Sequence, residues 1–262
     1  MKPLFRFTVG ACLQQGLDIL VESLNKTIKT LGENTFDWYI CYNALNAEQI
    51  RFLINNVKNV TLFAQNWADC PIPDICWSPQ RPDGSFEWNG NITGGTLWKV
   101  APPRLRMESH EIIMDNDIIL LKKFHQIDEF LKSSDKVLLL EEPIRFYGRY
   151  DKLLPSNPYF NSGFIGLPPM YDFGADIKKI WEEHGKLEYL SQADEQGLLT
   201  YCLSRQPNIR IHKEQLKEIL ARDFNFTIDG SEEGLHFTQA NKIQNHKAWK
   251  KYKELNEQGK YN

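Results

Sequence analysis

Residues 111–121 read EIIMDNDIILL, an apolar run that holds two aspartates one residue apart. Such a run is typical of a buried strand, and Asp115 and Asp117 stand where that strand would leave its sheet. Side chains at positions i and i+2 of an extended chain point to the same side, so both carboxylates could hold one divalent cation. Hard cations such as Mg²⁺ and Mn²⁺ prefer oxygen ligands and would keep positions open for phosphate oxygens. The alternative is a turn, because Asp and Asn are frequent at strand ends.

On both sides of this stretch, predicted strands alternate with predicted helices. Before it we expect strands over residues 6–12, 36–43 and 60–65, helices over 17–31 and 47–56, an ordered surface loop over 66–95 and a helical segment over 97–107. After it we expect a helix over 124–132, a strand over 136–142, irregular structure over 159–169, helices over 175–184 and 195–203, and a short strand over 234–237. This alternation predicts an α/β fold with a mostly parallel sheet, whose ligands gather at the carboxyl ends of the strands.

The composition is ordinary for a soluble globular protein. The chain has 262 residues, of which 42% are hydrophobic and 25% charged, enough for one large α/β domain or two small ones. Its formal net charge of -3 gives no general affinity for nucleic acid. No run approaches the roughly 18 apolar residues of a membrane span, and Arg6 interrupts the apolar start, which predicts a first strand rather than a signal peptide. We therefore expect a cytoplasmic protein.

Two short segments downstream of the aspartates have residue types suited to a binding site. The small residues around Asn161 and Gly163 would let a ligand approach the backbone closely, and the Asn side chain offers a donor and acceptors. A tight turn between strands would explain the same residues. Asp194 and Glu195 open a predicted helix, where an acidic pair can be catalytic or can only cap the helix and complement its dipole.

The order of the motifs resembles that of a known enzyme family. The segments DND, FNSG, DEQ and HFTQANK follow one another across nearly the whole chain. They resemble the motifs DxD, FNxG, DQ and HxxGxxKPW of the family 8 glycosyltransferases, and more broadly the GT-A glycosyltransferase fold. Gln239 stands where the family has Gly, and Ile243 and Gln244 replace Pro-Trp.

The resemblance implies a retaining, metal-dependent transferase with a single GT-A domain over residues 1–244. Its nucleotide-binding half would cover about residues 1–120 and its acceptor half about 121–244, followed by a basic C-terminal helix or tail over 245–262. The implied donor is a nucleotide sugar, with a UDP-sugar favoured, and the implied cofactor is Mn²⁺ or Mg²⁺. The implied acceptor is a hydroxyl of a glycan or glycolipid.

The resemblance also implies roles for individual residues. Asp115, Asp117 and His236 would bind the metal ion, and Lys242 would meet the diphosphate. The residues implied to contact the donor elsewhere are Thr8, Val9 and Gly10 at the end of the first strand, Lys99 and Arg104 (or Arg106) before the aspartates, Asn116, Glu142 (or Glu141), Asn161 and Gly163.

The stereochemical outcome depends on Glu195. In the family, the residue after the Asp of the DQ motif lies beneath the donor sugar, on the face opposite the leaving group. A carboxylate at this position would stabilise an oxocarbenium-like transition state or attack C1, as in retaining glycosidases. In an inverting enzyme, Glu195 or Asp194 would instead be the base for the acceptor hydroxyl. We favour retention, with Asp194 on sugar hydroxyls or fixing local geometry.

Two other kinds of protein remain as alternatives. A sugar nucleotidyltransferase usually carries a glycine-rich, basic loop after its first strand, and here that position reads GACLQQGLD without a basic residue. A non-catalytic carbohydrate-binding protein would use the two aspartates for Ca²⁺. The last segment interleaves four lysines with Trp249 and Tyr252, which predicts either peripheral contact with an anionic membrane or a solvated helix.

Overall fold

The computed structural model describes residues 1–10, 12–43, 45–65, 99, 104–154, 159–184, 192–220, 225–238 and 246–261. The strands are β1 (Leu4–Val9), β2 (Asp37–Tyr42), β3 (Val60–Ala64), β4 (Glu111–Asp115), β5 (Ile118–Leu120), β6 (Val137–Glu142), β7 (Tyr159–Leu167), β8 (Asn208–Ile211), β9 (Lys217–Leu220) and β10 (Gly234–Thr238). The helices are α1 (Gln14–Leu31), α2 (Ala47–Asn56), α3 (His125–Lys132), α4 (Phe173–Glu183), α5 (Gln192–Leu203) and α6 (Lys247–Glu257), with a 3₁₀ helix at Gly148–Leu153.

Seven strands form the central sheet in the order β3-β2-β1-β4-β7-β6-β8. Strands β1 to β4 are mutually parallel where they pair, whereas β7 runs antiparallel to both β4 and β6. Apolar side chains pack on both faces, with α1 and α3 on one side and α4 and α5 on the other. The predicted mostly parallel sheet, covered by helices, is therefore confirmed.

A second sheet of three strands, β5-β10-β9, lies beside the first. Helix α1 holds it in place, because Ser23 Oγ donates to the carbonyl oxygen of Ile118 and Thr30 Oγ1 donates to that of Leu120 at 3.2 Å. Only two residues, Asn116 and Asp117, separate β4 from β5, so the DND turn joins the two sheets. The sequence patterns did not predict β5, β8 or β9.

Strand β7 corrects the prediction of irregular structure over 159–169. It is a nine-residue strand with a large bulge against β6, since Leu139 pairs with Ile165 while the next residue, Leu140, pairs with Asn161. The glycines and the serine in YFNSGFIGL hide the apolar alternation of this strand. The bulge lies at the carboxyl edge of β4, and bulges commonly redirect side chains near functional sites.

Two further predictions need correction. Residues 104–107 are irregular rather than the end of a helix, and the rest of the predicted 97–107 helix, apart from Lys99, lies outside the described residues. The C-terminal segment is helical as predicted, but its aromatic residues are not on the surface. Trp249 and Tyr252 are buried, and Tyr252 donates to Glu22 of α1 at 2.7 Å.

The buried aromatics of α6 pack directly behind β10. The ring of Phe237 lies 5.7 Å from that of Trp249, and Tyr252 stacks on Tyr261 at 5.1 Å between ring centroids. These rings are therefore unavailable for the membrane contact expected of them, whereas the lysines of the helix stay exposed. Among the described residues, no helix is both long and apolar enough to cross a bilayer.

We predict that Trp249→Ala lowers the free energy of unfolding by about 3–5 kcal/mol, because it leaves a cavity behind β10. The exposed Lys250→Ala substitution on the same helix should change it by less than about 0.5 kcal/mol. Urea unfolding followed by fluorescence measures both values. Equal stability of the two variants would mean that α6 does not belong to the core.

Candidate metal and nucleotide-sugar site

Three potential metal ligands meet where the two sheets join. Asp115 ends β4, Asp117 follows in the turn to β5, and His236 lies on β10, which pairs with β5 in an antiparallel arrangement. One ligand atom from each residue lies within 4.8 Å of the others. The amide N–H of Phe237 donates to the carbonyl oxygen of Asp117 at 2.9 Å and fixes the turn against β10.

The chemistry of this set fits a divalent cation. His236 Nε2 lies 3.4 Å from Asp117 Oδ1. Burial opposes the imidazolium form, but the hydrogen bond to Asp117 and the charges of Glu218 and Asp115 raise the pKa of His236 to about 9. Burial also raises the pKa of Asp115, against the opposing charge of Lys99. A bound metal ion would replace the imidazolium proton, because only neutral imidazole is a ligand.

Lys99 links the metal ligands to the candidate catalytic glutamate. Its buried Nζ lies 3.0 Å from Asp115 Oδ2 and 3.2 Å from Glu195 Oε1, and it donates to Ser162 Oγ at 3.1 Å. Burial alone would lower the pKa of Lys99, but the two carboxylates outweigh burial and raise it. Lys99 is therefore a fixed positive charge between Asp115 and Glu195.

A buried ion cluster holds the backbone of Lys99. Arg6 donates from Nη2 to the Lys99 carbonyl oxygen at 3.1 Å, and its Nε lies 2.8 Å from Glu111 Oε1. Both side chains of the Arg6–Glu111 pair are fully buried. Buried pairs of this kind are costly to desolvate, so the geometry of their hydrogen bonds decides whether they are tolerated. Here the geometry ties Lys99 to the middle of β1.

Arg104 is not near the candidate site, which corrects its expected donor contact. Its guanidinium lies at the start of β4, 3.4 Å from Glu111, at the opposite end of that strand from Asp115. It donates to four backbone carbonyl oxygens, those of Pro168, Tyr171, Arg106 and Ser109.

Arg106, the alternative to Arg104, is also at the amino edge of the sheet. It pairs with Asp37 on the wall of a polar cavity of about 350 Å³. This cavity is far from the carboxylate cluster and its lining charges are already paired, so we assign no site to it.

The bulge of β7 brings Asn161 and Gly163 to the site. Asn161 Oδ1 accepts from the Gly163 amide at 2.6 Å, and its Nδ2 donates to Glu142. A Cβ at position 163 would lie 2.7 Å from Asn161 Oδ1 and 3.0 Å from Asp115 Oδ2. Only glycine fits this close approach, and the segment is part of a strand rather than a tight turn.

A second carboxylate lies next to Glu142. Burial, the hydrogen bond to Glu218 and the charge of Glu218 raise the pKa of Glu142 to about 8. Glu218 lies beside His236 in the register of β9 and β10, and it accepts from Thr238 Oγ1 at 3.0 Å. Glu141, the alternative to Glu142, pairs with the exposed His212 instead. Sequence reasoning missed Glu218, because the short strand KEIL belongs to no motif.

The two acids at the start of α5 point in different directions. Glu195 is buried beside Lys99, and its pKa is raised by burial against the opposing charge of Lys99. Asp194 Oδ1 accepts from the amide of Arg149 at 2.7 Å, and a Cβ on Gly148 would lie 2.0 Å from the same oxygen. Asp194 thus fixes the 3₁₀ helix against α5. Of its two expected roles, contact with sugar hydroxyls and the fixing of local geometry, this favours the second.

The remaining predicted residues lie at the carboxyl end of β1, in the DND turn, or outside the described residues. Thr8 is paired with Asp115 in the register of β1 and β4, and the carbonyl oxygen of Val9 accepts from the amide of Asn43 at 3.0 Å. Gly10 follows at the strand end, and Asn116 is buried in the DND turn. Lys242 lies outside the described residues, as does the whole of the predicted loop over 66–95.

No family model matches the sequence, and no curated protein matches it either. Similar solved structures are nevertheless found. A galactosyltransferase, LgtC, in complex with donor and acceptor sugar analogs has a TM-score of 0.62 at 10% identity, over 98% of this chain and 96% of that one. Mouse xyloside xylosyltransferase 1 has a TM-score of 0.54 at 11% identity, over 92% and 99% of the two chains.

The glycosyltransferase GlyE of Streptococcus pneumoniae TIGR4 has a TM-score of 0.52 at 12% identity, over 99% of this chain and 63% of that one. These likenesses show that the chain has the GT-A glycosyltransferase fold, as the motif order implied.

We predict that Arg6→Met lowers the free energy of unfolding by about 3–5 kcal/mol, because it leaves the carboxylate of Glu111 buried without its closest partner. The double variant Arg6→Met/Glu111→Gln, which removes both charges, should be more stable than the single variant. Lys2→Met, at an exposed ion pair with Asp37, serves as the control. It should lower the free energy of unfolding by less than about 1 kcal/mol. Wild-type stability of Arg6→Met in urea unfolding would contradict the assigned role of this cluster.

Proposed function

We propose that this protein is a metal-dependent glycosyltransferase that moves a hexose from a UDP-sugar to a hydroxyl of a glycan or glycolipid, with retention of configuration. One observation carries the proposal. At the carboxyl edge of a GT-A sheet, the buried cluster of Asp115, Asp117 and His236 lies next to the Lys99–Glu195 ion pair. A metal site beside a buried carboxylate is what transfer from a sugar diphosphate needs.

The ligand set favours Mn²⁺ over Mg²⁺. Two carboxylates and one imidazole combine hard oxygen ligands with a nitrogen ligand, and Mg²⁺ rarely accepts nitrogen. Asp115, Asp117 and His236 would hold the ion, which would neutralise negative charge on the departing nucleotide diphosphate. Lys242 would add a second positive charge on the same diphosphate.

The donor would lie along the carboxyl ends of β1 and β4 and the amino-terminal half of β7, which runs antiparallel to β4. Thr8, Val9 and Gly10 would contact the base and ribose, and Asn116 would lie beside the diphosphate. Asn161 and Glu142 would bind hydroxyl groups of the sugar, with Gly163 leaving room for them. We also propose that residues 1–120 carry the nucleotide half and 121–244 the acceptor half.

Glu195 would act at the anomeric carbon. A buried carboxylate there stabilises the positive charge that develops at C1 as the bond to the diphosphate breaks. Lys99 holds Glu195 in place and partly neutralises it, and this favours electrostatic stabilisation over direct attack on C1. The new bond from the acceptor oxygen to C1 would form on the face that the diphosphate leaves, and the acceptor proton would pass to the diphosphate.

We expect UDP release from at least one UDP-sugar in the presence of Mn²⁺, and its loss in EDTA. Asp117→Ala should abolish this turnover and the Mn²⁺-dependent binding of UDP, because it removes one of three ligands. Asp128→Ala, at an exposed pair with Lys123, is the matched control and should keep both. Titration calorimetry with UDP and Mn²⁺ measures the binding. Wild-type affinity in Asp117→Ala would place the metal elsewhere, and a lack of binding and turnover with every nucleotide sugar would exclude the proposed reaction.

We expect Glu195→Gln to lower kcat by about 100-fold or more while changing the affinity for UDP less than about threefold, since the charge of Glu195 acts in the transition state. The amide keeps the size of the side chain and a contact with Lys99. Steady-state kinetics and UDP titration separate the two effects. An unchanged kcat would mean that Glu195 only caps the helix. Separately, proton NMR of the product's anomeric signal would decide between retention and inversion.

A further inference from the structure

The segment that follows β6 exposes an unusual number of apolar side chains. Ile144, Phe146 and Leu153 are 49%, 53% and 39% exposed. Only eight large hydrophobic residues among those the structure describes are exposed to this degree, and three of them fall within these ten positions. Phe146 is the one aromatic residue among the eight. Isolated exposed apolar residues need no explanation, but such a concentration does.

The same segment is basic on its exposed side. Arg149 and Lys152 are exposed. Asp151 is the one acid in residues 143–154, all of which the structure describes, and its carboxylate accepts from Arg145 Nε at 2.6 Å. The outward surface of the segment therefore combines apolar side chains with positive charge that has no acidic partner among the described residues. We call this surface, made of Ile144, Phe146, Arg149, Lys152 and Leu153, the rim patch.

The rim patch is rigidly attached to the candidate site. Its 3₁₀ helix buries Tyr147 and Tyr150, and Tyr147 Oη accepts from the amide of Phe160 on β7 at 2.6 Å. The amide of Arg149 donates to Asp194, the residue before Glu195. Strand β6, which leads into the segment, ends at Glu142. The patch therefore borders the site.

We propose that the rim patch docks the protein on an anionic lipid bilayer, with the site facing the membrane surface. Size and charge argue for lipid rather than a protein partner. The three half-exposed apolar side chains present on the order of 250 Å² of accessible surface. Each partner in a stable protein interface buries roughly 800 Å². A few apolar side chains flanked by Lys and Arg are, in contrast, sufficient for interfacial binding to anionic lipid.

Vesicle flotation tests this proposal without donor or acceptor, so its outcome is independent of the proposed reaction. The full chain is mixed with vesicles of phosphatidylcholine alone or with about 30% phosphatidylglycerol, at about 0.1 M salt. We expect binding to the anionic vesicles and at least tenfold weaker binding to the neutral ones. Absence of binding to the anionic vesicles, or equal binding to both kinds, would overturn the proposal.

Variants assign the binding to the patch. Ile144→Ser/Phe146→Ser should weaken binding at least tenfold, whereas Ile54→Ser, which changes a 59% exposed residue on α2, should not. Arg149→Gln/Lys152→Gln should weaken it roughly thirtyfold, whereas Lys250→Gln/Lys251→Gln on α6 should leave it unchanged. All these side chains are exposed, and thermal unfolding checks that each variant is folded. Wild-type binding by the patch variants, or an equal loss in the controls, would refute the assignment.

Discussion

Burial of several carboxylates at one edge of a sheet is the constraint on which the rest of this structure depends. Four acids at this edge are largely removed from water: Asp115, Asp117, Glu142 and Glu195. Away from water, an ionised acid is stable only when it is paired with an opposite charge. Lys99 and the imidazolium of His236 supply the compensating charges. The raised pKa of Glu142, about 8, is a third means, because it favours the neutral form of this acid near pH 7. Without an added cation, the edge is still rich in negative charge, and this explains why its residues suit a divalent metal.

The architecture around the edge serves to hold these charges in place. The bulge in β7 replaces regular pairing with polar groups, and glycine at its centre allows a carboxylate to approach the backbone. The ion pair of Arg6 and Glu111 extends this support through the sheet, because it fixes the carbonyl oxygen of the residue whose ammonium group faces Glu195.

Much of the architecture could be predicted from local patterns. The alternation of strands and helices was sufficient to predict the fold. The spacing of the DND motif was sufficient to predict two of the three clustered ligands. Sequence patterns failed where contacts between distant parts of the chain determine the position of a side chain. Arg104 is drawn to carbonyl oxygens at the other end of β4, Glu218 approaches the site only through the pairing of β9 with β10, and the rings of α6 are buried by packing on Phe237. No sequence period encodes such contacts.

The three clustered ligands come from distant parts of the chain, since His236 follows Asp117 by about 120 positions. A cation held by them would therefore act as a cross-link as well as a binding group. It would close a long loop of the chain, and it would join the two sheets at the two-residue turn between β4 and β5. Because such a cross-link exists only in the folded protein, occupancy by the cation would favour the folded state by mass action. The concentration of free metal would then control how long the protein survives as well as whether it works.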